Sequence, residues 1–314
     1  MRVLVTGGAG FIGSHIVDAL IARGDNVAVL DDLSGGRLEN IDPRVNFYHG
    51  DIRDRKLVLE IMGLEKPRYV IHQAAQVDVQ ASMKDPVNDA AVNIMGTLNL
   101  LEACRARGVE KLVYASSAAV YGNPCRLPVD EAHPVRPMSG YGISKHTVER
   151  YLPDYREQHG LDYTVLRYAN VYGPRQDAAG EGGVVAIFIG MLLRNLRPRI
   201  FGDGEQTRDF VHVHDVARAN LAALAAGGGD VLNIGTGVPT SVNQLYDTLR
   251  QIIGVDIGPL YEPPREGDIR HSYLDPGDAA RQLDWRTETG LAEGLRQTVD
   301  FYEHWADDTN KGTV

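Results

Sequence analysis

At 314 residues, with 43% apolar and 24% charged content, the chain is long enough to bury a sizeable core in two lobes and has the make-up of a soluble globular protein. Its formal net charge of −10, from 42 acids against 32 bases, argues against a nucleic-acid binder, which would show a basic face, but leaves room for a local arginine pair that holds an anion. Two cysteines, Cys104 and Cys125, without metal-ligand spacing fit free thiols in a reducing cytoplasm; the N-terminal stretch, broken by glycines, His15 and Asp18, does not read as a signal peptide, and the longest apolar run, near residues 182–193, is too short to span a bilayer.

The chain opens on Val3, Leu4 and Val5, an apolar run of the length of a buried parallel strand. Gly7, Gly8, Gly10 and Gly13 follow as a turn, and Ile12, Ile16, Ala19 and Leu20 then share one face of a helix that Gly24 stops. Glycine permits the tight turn and lets backbone N–H groups come close to a pyrophosphate, and the helix N-terminus adds partial positive charge there. Gly7, Gly10, Phe11, Ile12 and Gly13 are therefore candidate cofactor contacts. A second strand, 26–30, ends at Asp31, 18 residues past Gly13, where a carboxylate accepts both ribose hydroxyls of an adenosine and repels a 2′-phosphate. NAD is expected over NADP. Without that context the stretch would be an ordinary strand-to-helix turn with a capping acid.

After a polar loop at 32–40, strands are expected at 45–49 and 69–72, with a helix at 56–63 between them. Gln73, Ala74 and Ala75 follow the fourth strand, and the two small residues allow a backbone to approach a ligand. A long helix at 89–108 carries Asn93 near its first turns; a fifth strand, 111–115, runs into Ser116 and Ser117. A Pro-rich loop at 123–137, a helix at 141–159 and a sixth strand at 163–167 complete the alternation, which predicts a doubly wound parallel sheet up to about Tyr172. Beyond Pro174 the pattern changes. A flexible loop is expected at 180–183, helices at 184–194, 215–226 and 241–253, short strands at 199–201, 210–213 and 232–234, a Pro- and Arg-bearing loop at 262–270, and two closing helices at 276–283 and 291–305.

Tyr141 and Lys145, four residues apart, lie on one face of their helix. A lysine ammonium beside a phenol is expected to lower the phenol pKa toward neutral, and a tyrosine so tuned takes or returns the proton of a sugar hydroxyl. Ser116 and Ser117 stand at the C-terminal end of a parallel strand, where doubly wound sheets bind ligands. His212 and His214 alternate along a strand but have no third ligand in phase, so polar packing is the expectation. Tyr114, Tyr121 and Tyr172 read as core or pocket-wall aromatics and His72 as a hydrogen-bonded core residue.

This constellation resembles the extended short-chain dehydrogenase/reductase family, and within it the UDP-galactose (UDP-glucose) 4-epimerases. The resemblance spans nearly the whole chain. It is carried by the turn from Thr6 to Gly13, by Ser116-Ser117-Ala118-Ala119-Val120-Tyr121-Gly122, by Tyr141-Gly142-Ile143-Ser144-Lys145 and by Arg167 to Pro174. Gly202-Asp203-Gly204, Arg208-Asp209-Phe210-Val211 and Pro264-Arg265-Glu266-Gly267-Asp268 extend it. It implies a Rossmann-like NAD domain over 1–172, with 211–234 contributing, and a smaller, interwoven α/β lobe over 173–314 for a nucleotide sugar. It also implies that Ser117 and Tyr141 are catalytic, that Lys145 holds the nicotinamide ribose, that Asp51 and Ile52 flank the adenine, and that Asn93 and Tyr168 line the NAD pocket. Asn170, Arg208, Arg265 and Asp268 would hold the nucleotide sugar. A guanidinium binds a pyrophosphate bidentately, although from the loops alone Arg208 and Arg265 read equally as solvated surface charge. A homodimer through two helices of the first lobe is implied by the resemblance alone.

The implied activity is NAD-dependent 4-epimerisation of a UDP-hexose through a 4-keto sugar. Related dehydratases and decarboxylases generally carry an acid after the strand-end Ser or Thr, where Ala118 and Ala119 stand here. A UDP-glucuronate 4-epimerase and a non-catalytic dinucleotide sensor are the remaining alternatives. Ser272 matches a position that borders the sugar in the resembling family, where a tyrosine goes with rejection of N-acetylated substrates.

Overall fold

Among the residues that the computed structural model describes (1–177, 183–265 and 267–311), the opening apolar run forms β1 (Arg2–Thr6), all but its first residue buried. It leads into α1 (Phe11–Ala22), β2 (Asn26–Asp31), β3 (Asn46–His49), α2 (Arg55–Glu65) and β4 (Tyr69–His72). Asp54 starts α2 by accepting from the backbone N–H groups of Lys56 and Leu57, satisfying donors the helix itself cannot pair.

The helix expected at 89–108 is not continuous. An additional short helix, α3 (Val79–Lys84), precedes it, and the expected span is divided into the end of α4 (Pro86–Ala90), a π-helical turn at Ala91–Gly96, and α5 (Thr97–Arg107), which Gly108 ends in the left-handed region at φ 67°. The wide turn brings Asn93 inward, and Gly96 presses against Ile52, where a Cβ would come within 2.7 Å. Next come β5 (Lys111–Ser117), α6 (Gly140–His159, capped by Ser139), β6 (Asp162–Tyr168) and β7 (Asn170–Tyr172).

The later elements are α7 (Val184–Leu192), β8 (Arg199–Phe201), β9 (Thr207–Arg208), β10 (Phe210–His212), α8 (Val213–Ala223), β11 (Val231–Ile234) and β12 (Thr240–Ser241). They are followed by α9 (Val242–Ile253), β13 (Leu260–Glu262), α10 (Gly277–Leu283) and α11 (Leu291–Lys311). Ser241 and Gln244 close a capping box on α9. The strand β13 falls partly within the expected loop at 262–270, and residues 180–182 of the other expected loop lie outside the described residues.

Seven strands make one parallel sheet in the order β11-β6-β5-β4-β1-β2-β3. From β1 the chain winds outward to β3, then returns to β4 and winds the other way, so the fold is a Rossmann-like, doubly wound α/β sheet. Its switch point lies between β1 and β4, where ligands of such sheets bind. One face buries Ile16, Val17 and Leu20 of α1 with Val216 and Ala217 of α8; the other buries Ile61 and Met62 of α2, Leu100 of α5 and Val148 of α6. A third core, with Phe188, Leu245, Leu295 and Val299, joins α7, α9 and α11 in a smaller α/β assembly, whose strand pairs are β8 with β13 and β9 with β12. β11 returns from that part of the chain to the edge of the main sheet. Among the described residues no helix is long and apolar enough to cross a membrane.

Candidate active site

The switch point is built by glycine. Gly7 sits at φ +70°, and a Cβ there would lie 2.5 Å from the Ala74 backbone nitrogen, so the loops after β1 and β4 meet because this residue has no side chain. At Gly13 a Cβ would fall 2.0 Å from the Gly7 carbonyl oxygen. The helix α1 begins after Gly10 with no side-chain cap and no acid in its first turn. Its first-turn N–H groups, around Phe11, Ile12 and Gly13, therefore have room for an anion, and this cradle fits a dinucleotide pyrophosphate.

Asp31 closes the other side of the turn. Its Oδ2 accepts from Ala9 N at 2.9 Å and its Oδ1 from Leu33 N at 2.8 Å, and burial raises its pKa. Each oxygen keeps a lone pair for a further donor. Asp51 is tied to Arg53 at 2.6 Å, a bond that holds its pKa down, while Ile52 is buried under the π turn. Gln73 donates to the Tyr168 hydroxyl at 3.0 Å and to Asn220 Oδ1 at 3.1 Å. Asn220, on α8, was not singled out by the sequence analysis; it reaches this network across 147 residues.

Ser117 and Tyr141 meet above the end of β5. Ser117 acts on the Tyr141 phenol to lower its pKa, and Ser117 Oγ accepts from Ala119 N at 3.2 Å. Lys145, on the same helix as Tyr141, is buried; its Nζ donates to the Ala115 carbonyl at 2.8 Å and stands 5.8 Å from the Tyr141 ring and 5.1 Å from the Tyr114 ring. The expected lowering of the phenol pKa is not seen. Burial pushes Tyr141 up to about 12 against the opposing Ser117 bond, and burial also draws Lys145 down to about 8. Desolvation dominates and Asp89 adds to it, so this protein by itself holds a protonated phenol.

Two residues expected against the cofactor have their side chains engaged within the protein. Ser116 donates to Glu149 Oε1 at 2.6 Å, inside a buried cluster in which Arg167 reaches both oxygens of Glu149 at 2.9 and 2.5 Å. Asn93 bonds both to the Gln76 backbone, at 2.8 and 3.0 Å, and to Ser144 Oγ at 3.0 Å. These side chains position α6 rather than offering themselves as free donors. Glu149 and Arg167 lie 18 residues apart, and no local pattern announces their pairing.

A second group lies in the smaller assembly. Arg208 Nη2 donates to Asp268 Oδ1 at 2.5 Å and Nη1 to the Thr207 carbonyl at 2.9 Å. Arg265 is exposed and stacks its guanidinium 3.9 Å above the Phe201 ring. Asn170 is exposed at the start of β7, and the Ser272 backbone pairs with Thr207. Asp209, beside Arg208, is buried and accepts from Thr236 N, Thr236 Oγ1, Gly237 N and Leu274 N, which pins β9 to the loop after β11.

The remaining histidines pack. His72 joins Thr6 Oγ1 at 2.6 Å and Thr97 Oγ1 at 2.8 Å, and His214 lies edge-on to His15 and His212 with centroids 5.0 and 4.9 Å apart. Tyr121 donates to Asn233 Oδ1 at 2.7 Å within the Arg167 cluster.

A family model described as the NAD dependent epimerase/dehydratase family matches residues 3–235. The UDP-glucose 4-epimerase of Mycolicibacterium smegmatis is 46% identical over 311 residues, which cover 97% of this chain and 99% of that protein. A crystal structure of UDP-glucose 4-epimerase from Thermotoga maritima, with UDP-glucose, aligns at a TM-score of 0.96 and 48% identity over 98% of this chain and 100% of its own. A UDP-N-acetylglucosamine 4-epimerase from Methanobrevibacter ruminantium M1, in complex with UDP-N-acetylmuramic acid, aligns at 0.93 and 36% identity over 97% and 98%. With the match running from β1 to the last strand of the sheet, and with relatives aligned from end to end, the chain belongs to the NAD dependent epimerase/dehydratase family.

Proposed function

We propose that this protein is an NAD-dependent UDP-glucose 4-epimerase of the extended short-chain dehydrogenase/reductase family, which interconverts UDP-glucose and UDP-galactose. The observation that carries the reading is buried Lys145 standing 5.8 Å from the Tyr141 ring on one face of α6 and bonded to the Ala115 carbonyl, two residues before Ser117 at the carboxyl end of β5, in a chain that matches its relatives over its full length.

Gly7, Gly10, Phe11, Ile12 and Gly13 hold the NAD pyrophosphate, Asp31 its adenosine ribose, and Lys145 its nicotinamide ribose. Asp51, Ile52, Gln73, Ala74, Ala75, Asn93, Ser116 and Tyr168 form the surrounding wall. NAD+, when bound, would supply a two-electron carrier that takes the C4 hydrogen as hydride and gives it back to the opposite face of the 4-keto carbon, and a positive charge that favours ionisation of a nearby phenol. Tyr141 takes the proton of the sugar 4-hydroxyl, and Ser117 holds that same oxygen in line. Arg208 and Arg265 grip the UDP pyrophosphate while Asn170 and Asp268 fix the nucleotide sugar, so the 4-keto sugar turns over within the site without leaving it. Tyr141 then returns the proton to the oxygen on the inverted carbon. Ala118 and Ala119 leave no carboxylate where an elimination would need one. A dinucleotide sensor without turnover has no use for the Ser117–Tyr141–Lys145 set.

Three finer points belong to the same reading. The small Ser272 leaves room for a 2-acetamido group, which a UDP-N-acetylglucosamine 4-epimerase at 36% identity supports. A homodimer is supported by exposed Val87, Met95 and Ile143, at 78%, 58% and 53%, on neighbouring elements of one face. Free Cys104 and Cys125 fit a cytoplasmic enzyme. The test is incubation of purified protein with UDP-galactose, with and without added NAD, and separation of the sugars by chromatography. Formation of UDP-glucose is expected; no conversion even with NAD added contradicts the reading.

A further inference from the structure

Lys145 is a buried cation with no carboxylate in ion-pair contact among the described residues. Its Nζ meets the Ala115 carbonyl and the faces of Tyr114 and Tyr141. A charge so enclosed needs an opposite one nearby. Two buried acids are tied to its surroundings: Glu149, four residues on along α6, and Asp89, which Asn93 joins to Ser144, the residue before Lys145. Glu149 is already neutralised by the two bonds from Arg167, with Ser116 and His146 filling its remaining sites. Asp89, at the end of α4, is 2% exposed and meets neutral amides, Gln76 Nε2 at 3.0 Å and Asn93 Nδ2 at 3.1 Å. The same Asn93 Nδ2 lies 3.0 Å from Ser144 Oγ, which donates to the Tyr141 carbonyl at 3.0 Å. Of the four buried charges, Glu149 cancels Arg167, and Asp89 and Lys145 are left to each other.

We propose that Asp89 is the buried counter-charge of Lys145, a positioning residue fastened by Gln76 and by the π turn through Asn93, which keeps the lysine an ammonium beside Tyr141. This rests on the epimerase reading above. The other groups that face the pair supply no charge. His72 on β4 is held neutral by burial, at about 3, and Tyr114 on β5 and Tyr168 on β6 are held protonated by burial. Arg167 on β6 is paired with Glu149. Asp89 raises the proton affinity of both Lys145 and Tyr141. Removing its charge therefore lowers both.

The test is the pH dependence of kcat on UDP-galactose for the NAD-loaded wild type, Asp89→Asn and Asp89→Glu. In D89N both limbs of the profile should move to lower pH by on the order of one unit, which is tenfold in proton affinity, and D89E should restore their position whatever its rate. A D89N profile that coincides with wild type, even at reduced rate, overturns the proposal. If D89N does not fold, or turns over too slowly to profile, D89N/K145M decides. Recovery of stability in the double variant supports paired charges, and a double variant no more stable than D89N refutes them. A wild type that epimerises nothing defeats the parent reading instead, and the stability comparison still judges Asp89.

Discussion

Tyr141 needs only its hydroxyl to do what is asked of it, so Tyr141→Phe is the sharpest single-residue change. Turnover should fall by about 10³-fold while NAD stays bound, because proton transfer is lost and packing is kept. Steady-state rates and the absorbance of bound cofactor check both halves. Ser272→Tyr should lower kcat/KM for UDP-N-acetylglucosamine by at least about tenfold relative to UDP-glucose, since added bulk penalises the larger sugar selectively. Equal losses on both sugars would place the acetamide elsewhere. At this scale the sequence is readable where spacing within one element sets the contact. Tyr141 and Lys145 share a helix face at four residues apart, and the glycines of the first turn announce a close backbone approach. Asn220 and Arg167 carry no such sign, because their partners are brought by the fold from 18 to 147 residues away. The direction of the Tyr141 pKa was unreadable for a related reason: burial is a property of the whole surroundings, not of the i, i+4 neighbour.

The helix α6 is fixed to the sheet by one buried ion pair. Burial alone would raise the Glu149 pKa, yet hydrogen bonds from Arg167 and His146 take it from its ordinary 4.5 to about 2. Because the folded value is depressed, the stabilisation is fully present above the unfolded value and is lost as pH falls through the folded one. Glu149→Gln leaves the Arg167 charge buried and unpaired and should cost about 3–5 kcal/mol at neutral pH. The gap from wild type should be level above about pH 5 and narrow as pH falls from 4.5 toward 2, as measured by denaturant midpoints. A gap that stays constant down to pH 2 would mean that the pair does not set it. Regular elements with strong apolar patterning were legible here, β1, β4 and β5 above all. The break at Ala91–Gly96 was not, since a π turn is stabilised by what Asn93 and Gly96 touch and not by any propensity of those six residues. The two- and three-residue strands β7, β9, β12 and β13 are too short to show a period.

Over the whole molecule, the proposed site draws on both the main sheet and the smaller assembly. In the proposed reading, β5 supplies Ser117, α6 supplies Tyr141 and Lys145, and the smaller assembly supplies Arg208, Arg265 and Asp268, which Asp209 and β11 link back to the sheet. The exposed apolar face around Met95 and Ile143 predicts a dimer in solution by light scattering, and Met95→Lys with Ile143→Lys should shift it to monomer without unfolding. A wild type that stays monomeric at working concentration would assign that face another role. The alternation of strands and helices made the sheet legible up to Tyr172, whereas the joining of the smaller assembly to it depends on contacts between residues far apart in the chain, such as Val231 with Val165 where β11 pairs with β6. The central claim is that one carbon of the sugar is oxidised and reduced in the same closed site. It is tested most directly with UDP-galactose carrying deuterium at C4, converted in ordinary water and read by mass spectrometry and NMR. UDP-glucose with the deuterium retained at C4 is the result expected; loss of the label to solvent, or a product lighter by one water, would contradict it.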